Sequence, residues 1–193
     1  DVKLRTSDPK YLKYVDRWWA VLIEKVKPLL YKNGGPIILF QLENEYGSYG
    51  CDLNYTTHPR DLATNLFGGK DEVLFYTTDG AGEGYLKCGK IPDVFATVDF
   101  GVASNASIVN AFKVQAQFNN DTGGPMVNSE FYPGWFDAWQ HEHTTVGTDG
   151  MSRTLEAMLE YGANVNFYMA HGGTSFGFES GANMGGKGYQ SMV

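Results

Sequence analysis

The sequence predicts an α/β fold of the (β/α)8-barrel class, and three observations carry that prediction. Five short, almost wholly apolar runs recur along the chain, as expected of strands buried on both faces. Successive runs begin about 20 to 40 residues apart, which leaves room for a helix between parallel strands. The runs end in polar or acidic residues, the habit of strands that carry a site at their C-terminal ends. A doubly wound sheet would instead show a Gly-rich phosphate turn after a strand, and no GxGxxG occurs. The units share no repeated sequence, which disfavours a solenoid.

The elements follow in order. Ser7-Asp8-Pro9 offers a helix cap and a proline suited to the first turn. Tyr11, Leu12, Val15, Trp18, Trp19, Leu22, Ile23 and Val26 then recur at helical spacing, and Pro28 with Asn33-Gly34-Gly35 marks the exit. The strand runs cover 36–42, 73–79, 94–100, 126–132 and 165–170. The first four carry Glu43-Asn44-Glu45, Asp79, Asp99 and Asn128-Ser129-Glu130 at or near their ends. Helices are expected at 108–118 and 149–161, the latter with the apolar stripe Met151, Leu155, Met158 and Leu159.

At 193 residues the chain has the size of one domain, residues 1–193. Fifteen Lys and Arg against 22 Asp and Glu leave a net charge of −7, which argues against nucleic acid as a partner. No apolar run is long enough to span a bilayer. The chain opens at Asp1 without a basic and apolar leader, so any targeting segment is expected to be missing or removed. Aromatic residues make up 15% and there are 24 Gly, a mix with the flavour of a loop-rich carbohydrate enzyme.

Cys51 and Cys88 stand 37 positions apart in no CxxC pattern, so one disulfide and two buried thiols both remain open. Three sequons, at Asn54, Asn105 and Asn120, fall in stretches that read as polar loops and tilt the balance toward an oxidising secretory route. His141-Glu142-His143 lacks further ligands at useful spacing and reads as a solvated loop, so neither a metal nor another cofactor is expected. His171 reads as a loop histidine, and Asp79 and Asp99 as braces between strand ends.

Glu45 and Glu130 are the candidate catalytic residues. Two carboxylates converging from different strand ends suit glycoside hydrolysis, one as nucleophile and the other as acid and then base. Tyr46 and Tyr49 follow the first, and Phe131, Tyr132, Trp135, Phe136 and Trp139 follow the second. Sugar rings need flat aromatic walls and a few fixed polar groups.

These residues also carry a family resemblance. Gly34-Gly35-Pro36-Ile37-Ile38 and Gln41-Leu42-Glu43-Asn44-Glu45-Tyr46-Gly47-Ser48 resemble the GGPII and QxENEYGS motifs of glycoside hydrolase family 35, the acid-acting and lysosomal-type β-galactosidases. Asn128-Ser129-Glu130-Phe131-Tyr132-Pro133-Gly134-Trp135 is similar to that family's NSEFYxGW. The resemblance implies a retaining exo-β-galactosidase that removes terminal β-galactose from glycans or glycolipids. In that scheme Glu45 is the acid/base and Glu130 the nucleophile, Asn44 bonds the sugar 2-hydroxyl, and Tyr132 orients Glu130. Trp135 and Tyr168 line the galactose pocket, and Cys51 and Cys88 form a disulfide. The resemblance places the product in a lysosomal or extracellular compartment.

Mapped on that family, the five runs are strands 4–8, a fragment of the barrel, and the pocket motifs carried by strands 1–3 are not in the chain. An alternative from another class is therefore a non-catalytic, galactose-binding or interaction product of the same family.

Overall fold

A computed structural model of the chain describes residues 1–119, 123–174, 176–177, 179–185 and 188–192. Five strands, β1 (Leu39–Asn44), β2 (Leu74–Gly80), β3 (Phe95–Asp99), β4 (Val127–Phe131) and β5 (Asn164–Phe167), lie side by side in chain order. Every neighbouring pair is parallel. A doubly wound sheet reverses its strand order at a switch point, and this sheet does not, which is consistent with part of a barrel wall.

Helices fill the crossovers. α1 (Pro9–Val26) precedes β1; α2 (Tyr46–Tyr49) and α3 (Leu53–Phe67) follow it. α4 (Glu83–Gly89), α5 (Asn105–Gln117) and α6 (Thr148–Glu160) make the next three connections. Asp8 caps α1 by accepting the Lys10 N–H, with Pro9 in the first turn as the sequence predicts. Asp52 and Ser104 cap α3 and α5 in the same way.

The caps explain one correction. Asn54 and Asn105 are exposed, but they sit in the first turns of α3 and α5 rather than in loops, because the capping residues start each helix just upstream. Asn120 lies outside the described residues. A second difference concerns the first strand. Ile37 bridges Leu30 instead of joining the sheet, so β1 begins three residues later than the apolar run. A third is an antiparallel hairpin, β6 (Ala182–Gly185) and β7 (Gly188–Ser191), that the apolar pattern does not announce.

The core lies between the sheet and the helices, in two clusters. Ile23, Leu42, Phe67 and Phe75 anchor the one behind β1 and β2. Val98, Ile108, Phe112, Phe131 and Met158 anchor the one behind β3 and β4. The other face of the sheet carries hydroxyls. Thr78, Thr97 and Ser129, from three adjacent strands, form a buried cluster with Ser129 Oγ 2.9 Å from Thr78 Oγ1 and 2.6 Å from Thr97 Oγ1.

Register decides which strand ends face that side. β2 and β3 pair without a slip, Tyr76 with Phe95 through Gly80 with Asp99. β1 carries one extra residue against β2, since Gln41 pairs with Tyr76 but Asn44 with Thr78. β4 carries one extra residue against both neighbours, since Val98 pairs with Asn128 but Asp99 with Glu130, and Asn128 with Val165 but Phe131 with Phe167. A one-residue slip reverses the face of every later side chain. The two strands that lead into Glu45 and Glu130 are therefore the two that bulge.

Candidate active site

The β1 end is held in place by contacts far apart in the chain. Glu43 is gripped by Arg5 at 3.0 and 2.7 Å and takes the Tyr55 hydroxyl at 2.7 Å. The same guanidinium donates to the Asn44 carbonyl at 2.6 Å and lies over the Tyr49 ring at 4.6 Å. Asn44 accepts the Gln41 side-chain amide on Oδ1 at 2.9 Å. Gln41 in turn accepts the Tyr76 hydroxyl at 3.1 Å.

Glu45 donates its backbone N–H to the Thr78 carbonyl at 2.7 Å, then turns left-handed at φ 49° and ψ 35°. A non-glycine residue there stores strain that its surroundings must hold, a common state at functional positions. Two anchors hold it. The Gly47 N–H donates to Asp79 Oδ1 at 2.9 Å, and Cys51 is disulfide-bonded to Cys88 of α4. Gly47 has to be glycine, because a Cβ would stand 1.9 Å from the Tyr85 carbonyl oxygen.

Opposite this turn, Glu130 stands beside Asp99 across the β3–β4 pairing. Burial, and then the charge of Glu45, push the Glu130 carboxyl above the ordinary range. Burial and Glu130 likewise raise the Tyr76 phenol. Tyr132 sets its hydroxyl on Asp99 Oδ1 and within 3.4 Å of Glu45 Oε1. The tyrosine expected to orient Glu130 thus makes its hydrogen bonds to Asp99 and Glu45, and meets Glu130 only through charge.

The aromatic walls come next. Trp135 stacks edge-on against Tyr132 at 5.8 Å and is exposed, as is Tyr168, whose N–H donates to the Phe131 carbonyl at 3.0 Å. A cavity of about 970 Å³ on the hydroxyl side of the sheet is lined by residues such as Tyr76, Phe95, Thr97, Val127 and Ser129. The carboxylates are not part of that lining; it lies below them, along the strand interiors. His143 pairs with Asp137 at 2.6 Å in an exposed loop. Among the described residues no cluster of three metal-ligating side chains occurs.

Two residues of this arrangement escaped the sequence reading. Arg5 is one of three cations in the first ten residues, and nothing in its neighbours announces a partner 38 positions on. Tyr76 could have been found from alternation, since it shares a face with Leu74 and Thr78.

Comparison with known proteins identifies the family. The family profile of Glycosyl hydrolases family 35 matches residues 1–192. The chain is 50% identical over 182 residues to the beta-galactosidase of Canis lupus familiaris, covering 94% of this chain and 26% of that protein. It is 51% identical over 183 residues to that of Mus musculus, with 94% and 27% covered. Against the beta-galactosidase of Homo sapiens the identity is 47% over 183 residues, with 94% and 26% covered. The chain thus spans about a quarter of the length of these relatives. With the profile matched from one end of the chain to the other, the chain belongs to glycosyl hydrolases family 35.

Proposed function

We propose that this chain supplies the two catalytic carboxylates of a retaining exo-β-galactosidase, and that its five strands are strands 4–8 of the barrel. The observation that carries the reading is the placement of Glu45 and Glu130 at the ends of the two bulged strands, with the Tyr132 hydroxyl, two residues past Glu130, 3.4 Å from Glu45 Oε1. In the first step the Glu130 carboxylate attacks the anomeric carbon while Glu45 gives its proton to the glycosidic oxygen, and the aglycone leaves as an alcohol. Water then attacks the galactosyl ester, Glu45 takes its proton, and galactose departs with its configuration retained. Asn44, with its side chain fixed by Gln41, bonds the 2-hydroxyl, and Trp135 and Tyr168 form apolar walls. A separation of about 5–5.5 Å between the carboxyls is the retaining arrangement.

An acidic compartment, lysosomal or extracellular, fits a site whose Asp79 and Asp99 are protonated up to about 7, mainly through burial. The disulfide and the exposed Asn54 and Asn105 suit the same route, with both sequons proposed as glycan acceptors.

One observation favours the second reading, a galactose-binding product without turnover. Ile38 and Leu74 are 65% and 58% exposed, so the inner face at β1 and β2 is open. Labelling the full-length protein with a 2-fluoro-galactoside separates the two. The label is expected on Glu130 by mass spectrometry; sugar bound with no label anywhere overturns the enzyme reading. Glu130→Gln is expected to abolish turnover. Glu45→Gln should slow substrates with poor leaving groups on the order of 10²–10⁴-fold and spare activated ones. Equal small losses in both variants count against these roles.

A further inference from the structure

Asp99 is 5% exposed at the end of β3, and it faces the site rather than the backbone. Asp8 and Asp52 are each saturated by backbone N–H groups, which hold both below the ordinary carboxylate range. Asp99 is different. Its Oδ1 takes the Tyr132 hydroxyl, while Oδ2 is buried without a hydrogen-bond partner among the described residues. Glu130 is its register partner on β4, and Glu45 lies against it from the end of β1.

We propose that Asp99 is a positioning residue for the glycosidic reaction: by holding the Tyr132 hydroxyl it fixes that ring between the two glutamates and orients the Glu45 carboxyl for proton transfer. The inference rests on Glu45 being the acid/base. The charged and titratable groups that face Asp99 are Glu45 from β1, Glu130 from β4 and Tyr132 just beyond β4. Asp79 on β2 turns instead to Gly47, and α5 and the turn after it bring neutral Gln115 and Asn119 to β3, at Ala96. Burial, and then the charges of Glu45 and Glu130, keep Asp99 protonated to about 7, against the pull of the Tyr132 hydrogen bond. In mild acid it therefore holds the tyrosine without adding a third negative charge to the site. Above about 7 it ionises and that charge is added.

The test uses the full-length protein with Asp99→Ala, Asp99→Asn, Tyr132→Phe and Glu45→Gln, assayed on 2,4-dinitrophenyl and methyl β-galactosides across pH. Asp99→Ala and Tyr132→Phe are expected to lower kcat/KM on the methyl galactoside on the order of 10²-fold, the cost of a misplaced catalytic group, and to leave the dinitrophenyl substrate nearly unchanged. Asp99→Asn keeps an acceptor for the Tyr132 hydroxyl and is expected to restore most of that loss in mild acid. Asp99→Asn should also move the alkaline limb of the profile, a response that a merely structural carboxyl would not give. Equal losses on both substrates with an unmoved limb overturn the proposal. Should Asp99→Ala fail to fold, Tyr132→Phe, which removes one hydroxyl, carries the same leaving-group test. If Glu45→Gln itself lacks leaving-group dependence, the acid/base reading fails; if it shows that dependence and neither Asp99→Ala nor Tyr132→Phe does, the Asp99 inference alone fails.

Discussion

Asp79 shows how much of this site depends on single buried carboxyls. Its Oδ1 accepts the Gly47 N–H, Oδ2 has no partner among the described residues, and a Cβ on Gly89 would stand 1.8 Å from Oδ1. Burial dominates and lifts it to about 7, with the charges of Glu43 and Glu45 adding to the rise. Unfolded aspartate ionises near 3.9, so between about 4 and 7 the unfolded chain has released this proton while the folded chain keeps it. Stability therefore falls as pH climbs through that window and levels above it, and Asp99 adds in the same direction. Thermal melts are expected to peak in mild acid, and Asp79→Asn, which keeps an acceptor for Gly47, should flatten their pH dependence. A melting temperature that rises from pH 5 to 7.5 would contradict this account. At this scale the strand-end placement of Glu45 and Glu130 was legible, because an apolar run and the acidic residues that close it form a short-range pattern. Tyr132's attachment to Asp99 and Glu45 was not: it joins positions 33 and 87 apart, and no local pattern encodes such a contact.

Among the elements, the four-residue helix α2 is the one whose placement matters most. It follows the left-handed Glu45, packs against α4 through Gly47, and is tied to α4 again by the Cys51–Cys88 bridge. Neither link is made by the helix's own propensity; at four residues it is too short to stand alone. Gly47→Ala drives a methyl group into the Tyr85 backbone and should cost about 1–3 kcal/mol as the helix is displaced. Activity should fall with it, because the displaced turn carries Glu45. Reducing the disulfide, which closes a loop across 37 positions, should cost roughly 3–4 kcal/mol in the chain-entropy account. Denaturant unfolding with and without reductant measures that loss; unchanged midpoints would show that the bridge adds nothing. The parallel strands were legible because double-sided burial leaves continuous apolar runs. Their bulges were not, since an extra residue changes the pairing without changing the apolar pattern.

Over the molecule as a whole, the two faces of the sheet differ sharply. The helix-covered face is packed, whereas the inner face leaves Ile38, Leu39 and Leu74 exposed around a cavity of about 970 Å³. Trp18 and Val21 of α1 are exposed as well. Apolar surface of this kind promotes association. The 193-residue segment made alone is expected to self-associate in sedimentation, and a clean monomer at high concentration would contradict that. The buried hydroxyl cluster, by contrast, is complete within the segment. Ser129→Ala leaves Thr78 and Thr97 without their shared partner and should cost about 1–3 kcal/mol. Combining it with Thr78→Val and Thr97→Val should cost less than the three separate losses added together, since no orphaned hydroxyl remains. For inheritance this makes three positions on three strands a single character. A lineage that exchanges one of them passes through a less stable intermediate, so drift at this layer is expected to proceed by joint replacement or not at all.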